Sequence, residues 1–134
     1  MDLGSINWVV VLGAAAMAFV LGGIWYGPLF GKSWQGFIGL TDEELANQGK
    51  PAVIMGVAFL LTVVQAMVLA ATMPDTAGIT AGASHGLVIG LGFVATAFGI
   101  NYLFSRHPRA LFAIDGGYNV LQFALMGAVL GAFG

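Results

Sequence analysis

Four uninterrupted apolar runs, at about 5–27, 52–73, 79–104 and 110–133, are separated by three short polar breaks. Each has the ~20 residues that a helix needs to cross a ~30 Å hydrocarbon core. None alternates polar and apolar positions, so the runs predict helices and not barrel strands. The one sizeable break, 31–51, contains Thr41-Asp42-Glu43-Glu44, a capping box with acids at the positive end of a helix. With Gly49 as a stop and Pro51 opening the next run, this predicts a short interfacial helix at about 42–48. Met73-Pro74-Asp75-Thr76-Ala77-Gly78 predicts a tight turn, and Ser105-Arg106-His107-Pro108-Arg109 predicts the last break. The expected fold is an all-α integral membrane domain of four transmembrane helices, a single domain over 1–134.

Composition strengthens that picture. The chain is 59% hydrophobic and only 7% charged, with a mean hydropathy of +0.94, against roughly 25% charged residues in soluble domains. The net charge of -2 says nothing about nucleic acid, but no basic cluster is present to neutralise phosphates, so no nucleic-acid partner is expected and membrane lipids are the expected surroundings. There is no cysteine, which rules out disulfides and thiolate chemistry. The opening Met1-Asp2-Leu3 lacks the basic region of a secretory signal, so a cleaved leader is not expected. Lys32, Lys50, Arg106 and Arg109 all fall in the first and third breaks, on one side of a four-span chain. The positive-inside rule then predicts N-out, C-out, with those breaks cytoplasmic.

The most distinctive stretch is 22–34. Here Pro28 is expected to break the first helix, while Trp25, Tyr26 and Trp34 supply rings suited to headgroup depth, with Lys32 reaching past them. Glycine marks packing faces. Gly78, Gly82, Gly86 and Gly90 repeat every fourth residue, and Gly23 and Gly27 form a second such pair. Small residues at this spacing let helix backbones approach closely, either within one chain or between copies in a homo-oligomer.

Polar groups inside the spans carry the most information, because lipid makes them expensive. Asp115, Tyr118, Asn119 and Gln122 stand at i, i+3, i+4 and i+7, one stripe of the fourth helix. Gln65 lies mid-span in the second helix, His85 and Asn101 lie in the third, and Asn7 begins the first. At 1.5 Å per residue, Asp115 is ~8 Å from one end of its span and His85 ~9 Å from the other. These residues outline a polar ladder from Asn7 and His85, through the two glutamines, to Asp115 and Asn119. Each also has a purely structural role available: Asp115 pairing with Arg106, Arg109 or Tyr102, the glutamines joining helices, His85 packing. Gly90-Leu91-Gly92-Phe93-Val94-Ala95 loosely matches a dinucleotide fingerprint but lies within a span, with no strand before it. No His-Glu-x-x-His motif and no complete phosphate-binding loop are present, so no catalytic residue, metal or cofactor is assigned. A haem would need the lone intramembrane histidine from each of two copies.

Gly22 to Tyr26 followed by Pro28, then Phe30-Gly31-Lys32 with Trp34, together with Asn7, Asn101 and Phe104, carry a family resemblance. On these residues the chain resembles the small bacterial four-helix membrane proteins grouped as domain of unknown function 1761. The resemblance covers nearly the whole chain and implies a four-helix fold in a bacterial inner membrane. It implies no activity. The functional expectation is a small homo-oligomeric transporter or channel with its pathway along the polar faces of the second to fourth helices. The rival readings are an accessory protein that binds a partner through its glycine faces and first connection, and an enzyme acting on a lipid-soluble substrate.

Overall fold

A computed structural model describes residues 3–74 and 78–134; the turn expected around Asp75 lies largely outside them. The described chain is helical, with four helices long and apolar enough to cross a membrane: Trp8–Leu29, Pro51–Ala71, Ile79–Phe104 and Arg109–Phe133.

Helix α1 (Trp8–Ile24) is capped by Asn7, whose side-chain oxygen accepts from the Val10 amide at 3.4 Å. Pro28 does not end the helix. The backbone widens into a π-helical turn over Trp25–Leu29, where the Phe30 amide bonds back to the Trp25 carbonyl at 2.8 Å. That wider turn absorbs the missing proline N–H, which would leave a gap in a regular α-helical ladder. A second helix not expected from the sequence, α2 (Gly31–Ile38), follows directly and ends on Gly39 in the left-handed conformation, φ 71°. Helix α3 (Asp42–Asn47) then forms over the expected capping box: the Thr41 hydroxyl accepts from the Glu44 amide at 3.1 Å, and the Thr41 amide donates to the Glu44 carboxylate at 3.3 Å.

Helix α4 (Pro51–Ala71) is the second span. The third is interrupted: α5 (Ile79–Ile89) passes through a π-helical stretch at Gly90–Ala95 into α6 (Thr96–Phe104). Helix α7 (Arg109–Phe133) is the fourth span. It is the central one, packing against α1, α4, α5 and α6.

Two features fix the packing. The first is a glycine seam between α5 and α7. A methyl group on Gly82 would run into the Gly127 carbonyl, one on Gly86 into the Phe123 carbonyl, and one on Gly131 into the Gly78 carbonyl. The four-residue spacing on α5 is therefore spent within the chain, in backbone-to-backbone contact. The second is a dry cluster of Val11, Ala14, Ala18, Ala66, Leu69, Phe123, Met126 and Leu130. It joins the start of α1, the end of α4 and the end of α7, so it fills the half of the bundle nearer the chain termini. The half nearer the α2–α3 connection is packed differently, and Asp115 with its phenol partners lies there.

Candidate functional site

Asp115 is 7% exposed, the most buried carboxylate among the described residues. Each of its oxygens receives one phenol: Tyr26 Oη donates to Oδ1 at 2.6 Å and Tyr102 Oη donates to Oδ2 at 2.5 Å. An ionised carboxylate only accepts, and two hydroxyl donors suit it. Of the partners open to Asp115 in the sequence, Tyr102 is the one it takes. Tyr26 is the additional one. Tyr26 gets there by ordinary helical spacing, since Gly22, which with Ala18 meets Tyr118 of α7, precedes Trp25 and Tyr26 by three and four residues on the same face of the first span. Trp25 turns the same way, donating its indole N–H to the Ile114 carbonyl at 2.9 Å. The polar tips of both rings thus point into the bundle, with Trp34 set edge-on against Tyr26 at 5.7 Å. Pro28 and Lys32 remain exposed.

One turn further along α7 the stripe becomes an amide network. Asn119 Nδ2 donates to the Asp115 carbonyl at 2.8 Å. Gln122 Nε2 donates to Asn119 Oδ1 at 3.1 Å and to Gln65 Oε1 at 3.3 Å, which ties α7 to α4. Tyr118 Oη reaches the Ala18 carbonyl at 3.0 Å, tying α7 to α1. Among the described residues, no buried side-chain nitrogen or oxygen lacks a partner. Asp115, Tyr118, Asn119, Gln122 and Gln65 are brought together. Asn7, His85 and Asn101 are not: Asn7 caps α1, His85 Nε2 meets the Thr72 hydroxyl at 3.0 Å across the α4–α5 end, and the Asn101 side chain is exposed.

This network backs onto a cavity of about 660 Å³, within the range of small-molecule sites. Gly22, Gly23, Gly27, Phe19 and Tyr26 line it from α1 and the π-helical turn, with Met55, Ala58, Leu61, Thr62 and Gln65 on α4. Phe98 on α6 and Tyr118, Asn119 and Gln122 on α7 complete it. It runs from Gly27 and Met55, each within two turns of a span end on the connection side, inwards to Gln65. There the dry cluster closes it. Gly23 and Gly27 have open space where a side chain would stand, so this pair borders the cavity and packs against nothing.

Sequence patterns overstate one other place. Gly82-Ala83-Ser84-His85-Gly86 fits the Gly-x-Ser-x-Gly pattern of a hydrolase nucleophile elbow. That motif needs a sharp strand-to-helix turn. Here the five residues lie inside α5, both glycines serve the seam with α7, and His85 bonds to Thr72. The pattern is a packing motif.

Four apolar spans around a carboxylate held by two phenols, with an amide-backed cavity beside it, define a polytopic helical membrane protein with a binding-sized cleft between its helices. Residues 9–131 match the family model described as Protein of unknown function (DUF1761), and the chain belongs to that family. No curated protein and no solved structure matches it.

Proposed function

We propose that the protein is a small carrier or channel subunit that admits a small solute into the cavity between α1, α4, α6 and α7. The observation that supports this reading is the 660 Å³ cavity whose inner wall is the Gln65–Asn119–Gln122 network. Three amide side chains are held at mid-span, where a dry bundle would carry apolar residues at less cost. Such groups strip water from a solute and replace its hydrogen bonds. The apolar cluster beyond Gln65 bounds the space at its inner end, which is compatible with the one closed gate of an alternating-access carrier.

The proposed location is a bacterial inner membrane, N-out and C-out, and the basic residues of the first and third connections support a cytoplasmic position for those connections. A homo-oligomer is part of the proposal: a second copy across the gap between α4 and α6 would wall the cavity on its lipid-facing side.

Solute flux tests the reading. Proteoliposomes are challenged with a panel of small neutral and charged solutes, and swelling is followed by light scattering. At least one solute is expected to cross faster than in empty liposomes. Gln122→Leu, with unchanged helicity, is expected to reduce that flux at least about tenfold. No flux above empty liposomes for any solute would contradict the proposal, as would full flux through the Gln122→Leu protein.

A further inference from the structure

We infer that the cavity selects an amphipathic organic monocation, with Asp115 as the charge that selects it; this rests on the cavity being the solute site. The spans hold Asp115 and, at the outermost position of α7, Arg109; no other Asp, Glu, Lys or Arg lies in the four spans. Both hydrogen-bond partners of the Asp115 carboxylate are neutral phenols, so hydroxyl dipoles solvate its charge without cancelling it. In a low-dielectric setting an uncancelled charge reaches several ångströms further than in water.

The cavity lies where that field is felt. Tyr26 lines the cavity and donates to Asp115, so one phenol separates the carboxylate from the space. Donation to a carboxylate polarises the phenol and enriches its ring and oxygen in electron density. Phe19, Phe98 and Tyr118 add three more aromatic residues to the lining, and no cationic side chain joins them. Aromatic faces attract cations, most strongly when water is excluded. At the inner wall both amide hydrogens of Gln122 are spent on Gln65 and Asn119, whose carbonyl oxygens each keep a second lone pair. Aromatic faces, carbonyl oxygens and a screened carboxylate all favour positive charge. Met55 and Leu61 on α4 give the remainder an apolar character that suits the hydrocarbon part of an amphipathic amine or onium ion.

The test uses two probes of nearly the same shape, methyltriphenylphosphonium, which is cationic, and triphenylphosphine oxide, which is neutral. Equilibrium dialysis measures binding of each to the full chain in lipid nanodiscs, with empty discs subtracted. The cation is expected to bind at least about tenfold tighter than the oxide. Asp115→Asn keeps an acceptor for one phenol and is expected to bring the ratio close to one by weakening the cation alone. Gly23→Leu, which places a side chain in open cavity space, is expected to weaken both probes. Equal binding of the two probes to the unaltered protein, or a cation preference that survives Asp115→Asn, overturns the inference and leaves the cavity as a solute site. Binding of neither probe to the unaltered protein removes the solute site and the inference together.

Discussion

Gly86→Ala is expected to lower stability by about 1–3 kcal/mol, the cost of overpacking a tight core, although alanine is the better helix former. The sign is set by what the new methyl would meet. It would run into the Phe123 carbonyl and stand 3.1 Å from the Ala124 Cα, both backbone atoms of α7. A flexible side chain could swing away; a helix backbone cannot, so α5 and α7 must part and their mutual contact weakens along the seam. Gly13→Ala is the matched comparison. Its methyl meets nothing within 4 Å, so only the intrinsic preference remains, which favours alanine by up to about 1 kcal/mol. Unfolding in mixed micelles titrated with dodecyl sulfate and followed by circular dichroism should move in opposite directions for the two variants. Equal shifts would mean that the seam does not hold α5 against α7.

The second large effect is expected at Asp115. Asp115→Ala removes the acceptor shared by Tyr26 and Tyr102, leaving two hydroxyl donors without a partner. Each orphaned donor costs about 1–3 kcal/mol, while removing the buried charge returns part of its desolvation penalty. The net loss is therefore expected near about 2–3 kcal/mol, at the lower end of the two-donor sum. Asp115→Asn keeps one acceptor oxygen and should cost less. Tyr26→Phe and Tyr102→Phe should each cost about 0.6–2 kcal/mol, as interhelical hydrogen bonds in membranes do. In a double-mutant cycle Tyr26→Phe should cost markedly less when Asp115 is already alanine, because the two residues share one bond. Strict additivity would mean that the phenol and the carboxylate act separately.

The membrane architecture was legible because lipid imposes it. A span must be long, apolar and helical, so 52–73 and 79–104 could be read from hydropathy alone, and α4 (Pro51–Ala71) and the Ile79–Phe104 span lie close to those bounds. The α3 helix was legible for a local reason, the Thr41–Glu44 capping box. Helix α2 was not: Gly31, Gly36 and Gly39 made its segment look like a loop, and only the last is used as a helix stop. The π-helical turns at Trp25–Leu29 and Gly90–Ala95 leave no mark in hydropathy, because they change how the backbone is bonded and not which residues are apolar.

The polar stripe of α7 could be written from its spacing. Its partners could not, since they depend on how each neighbouring helix is rotated. Trp25 and Tyr26 show the difficulty most clearly. An amphipathic ring at a span end serves equally well at a headgroup or at a polar site on the next helix, and these two lie on the face of the first span that packs against α7. The cavity had no sequence signature either. Gly23 and Gly27 have the spacing of a packing face, yet they border empty space.

Thiol accessibility at the cavity is the most direct test that the amide network backs a space open to one side of the membrane. The chain has no native cysteine, so single cysteines can be placed at Ala58, which lines the cavity, and at Leu60, which is 65% exposed on the outer surface of the same helix. Gln48→Cys, in the α2–α4 connection, marks the side. A membrane-impermeant maleimide applied to each side in turn is expected to label Ala58→Cys only from the side that labels Gln48→Cys, and to leave Leu60→Cys unlabelled from either. Labelling of Leu60→Cys as fast as Ala58→Cys, or no labelling of Ala58→Cys from either side, would contradict the account.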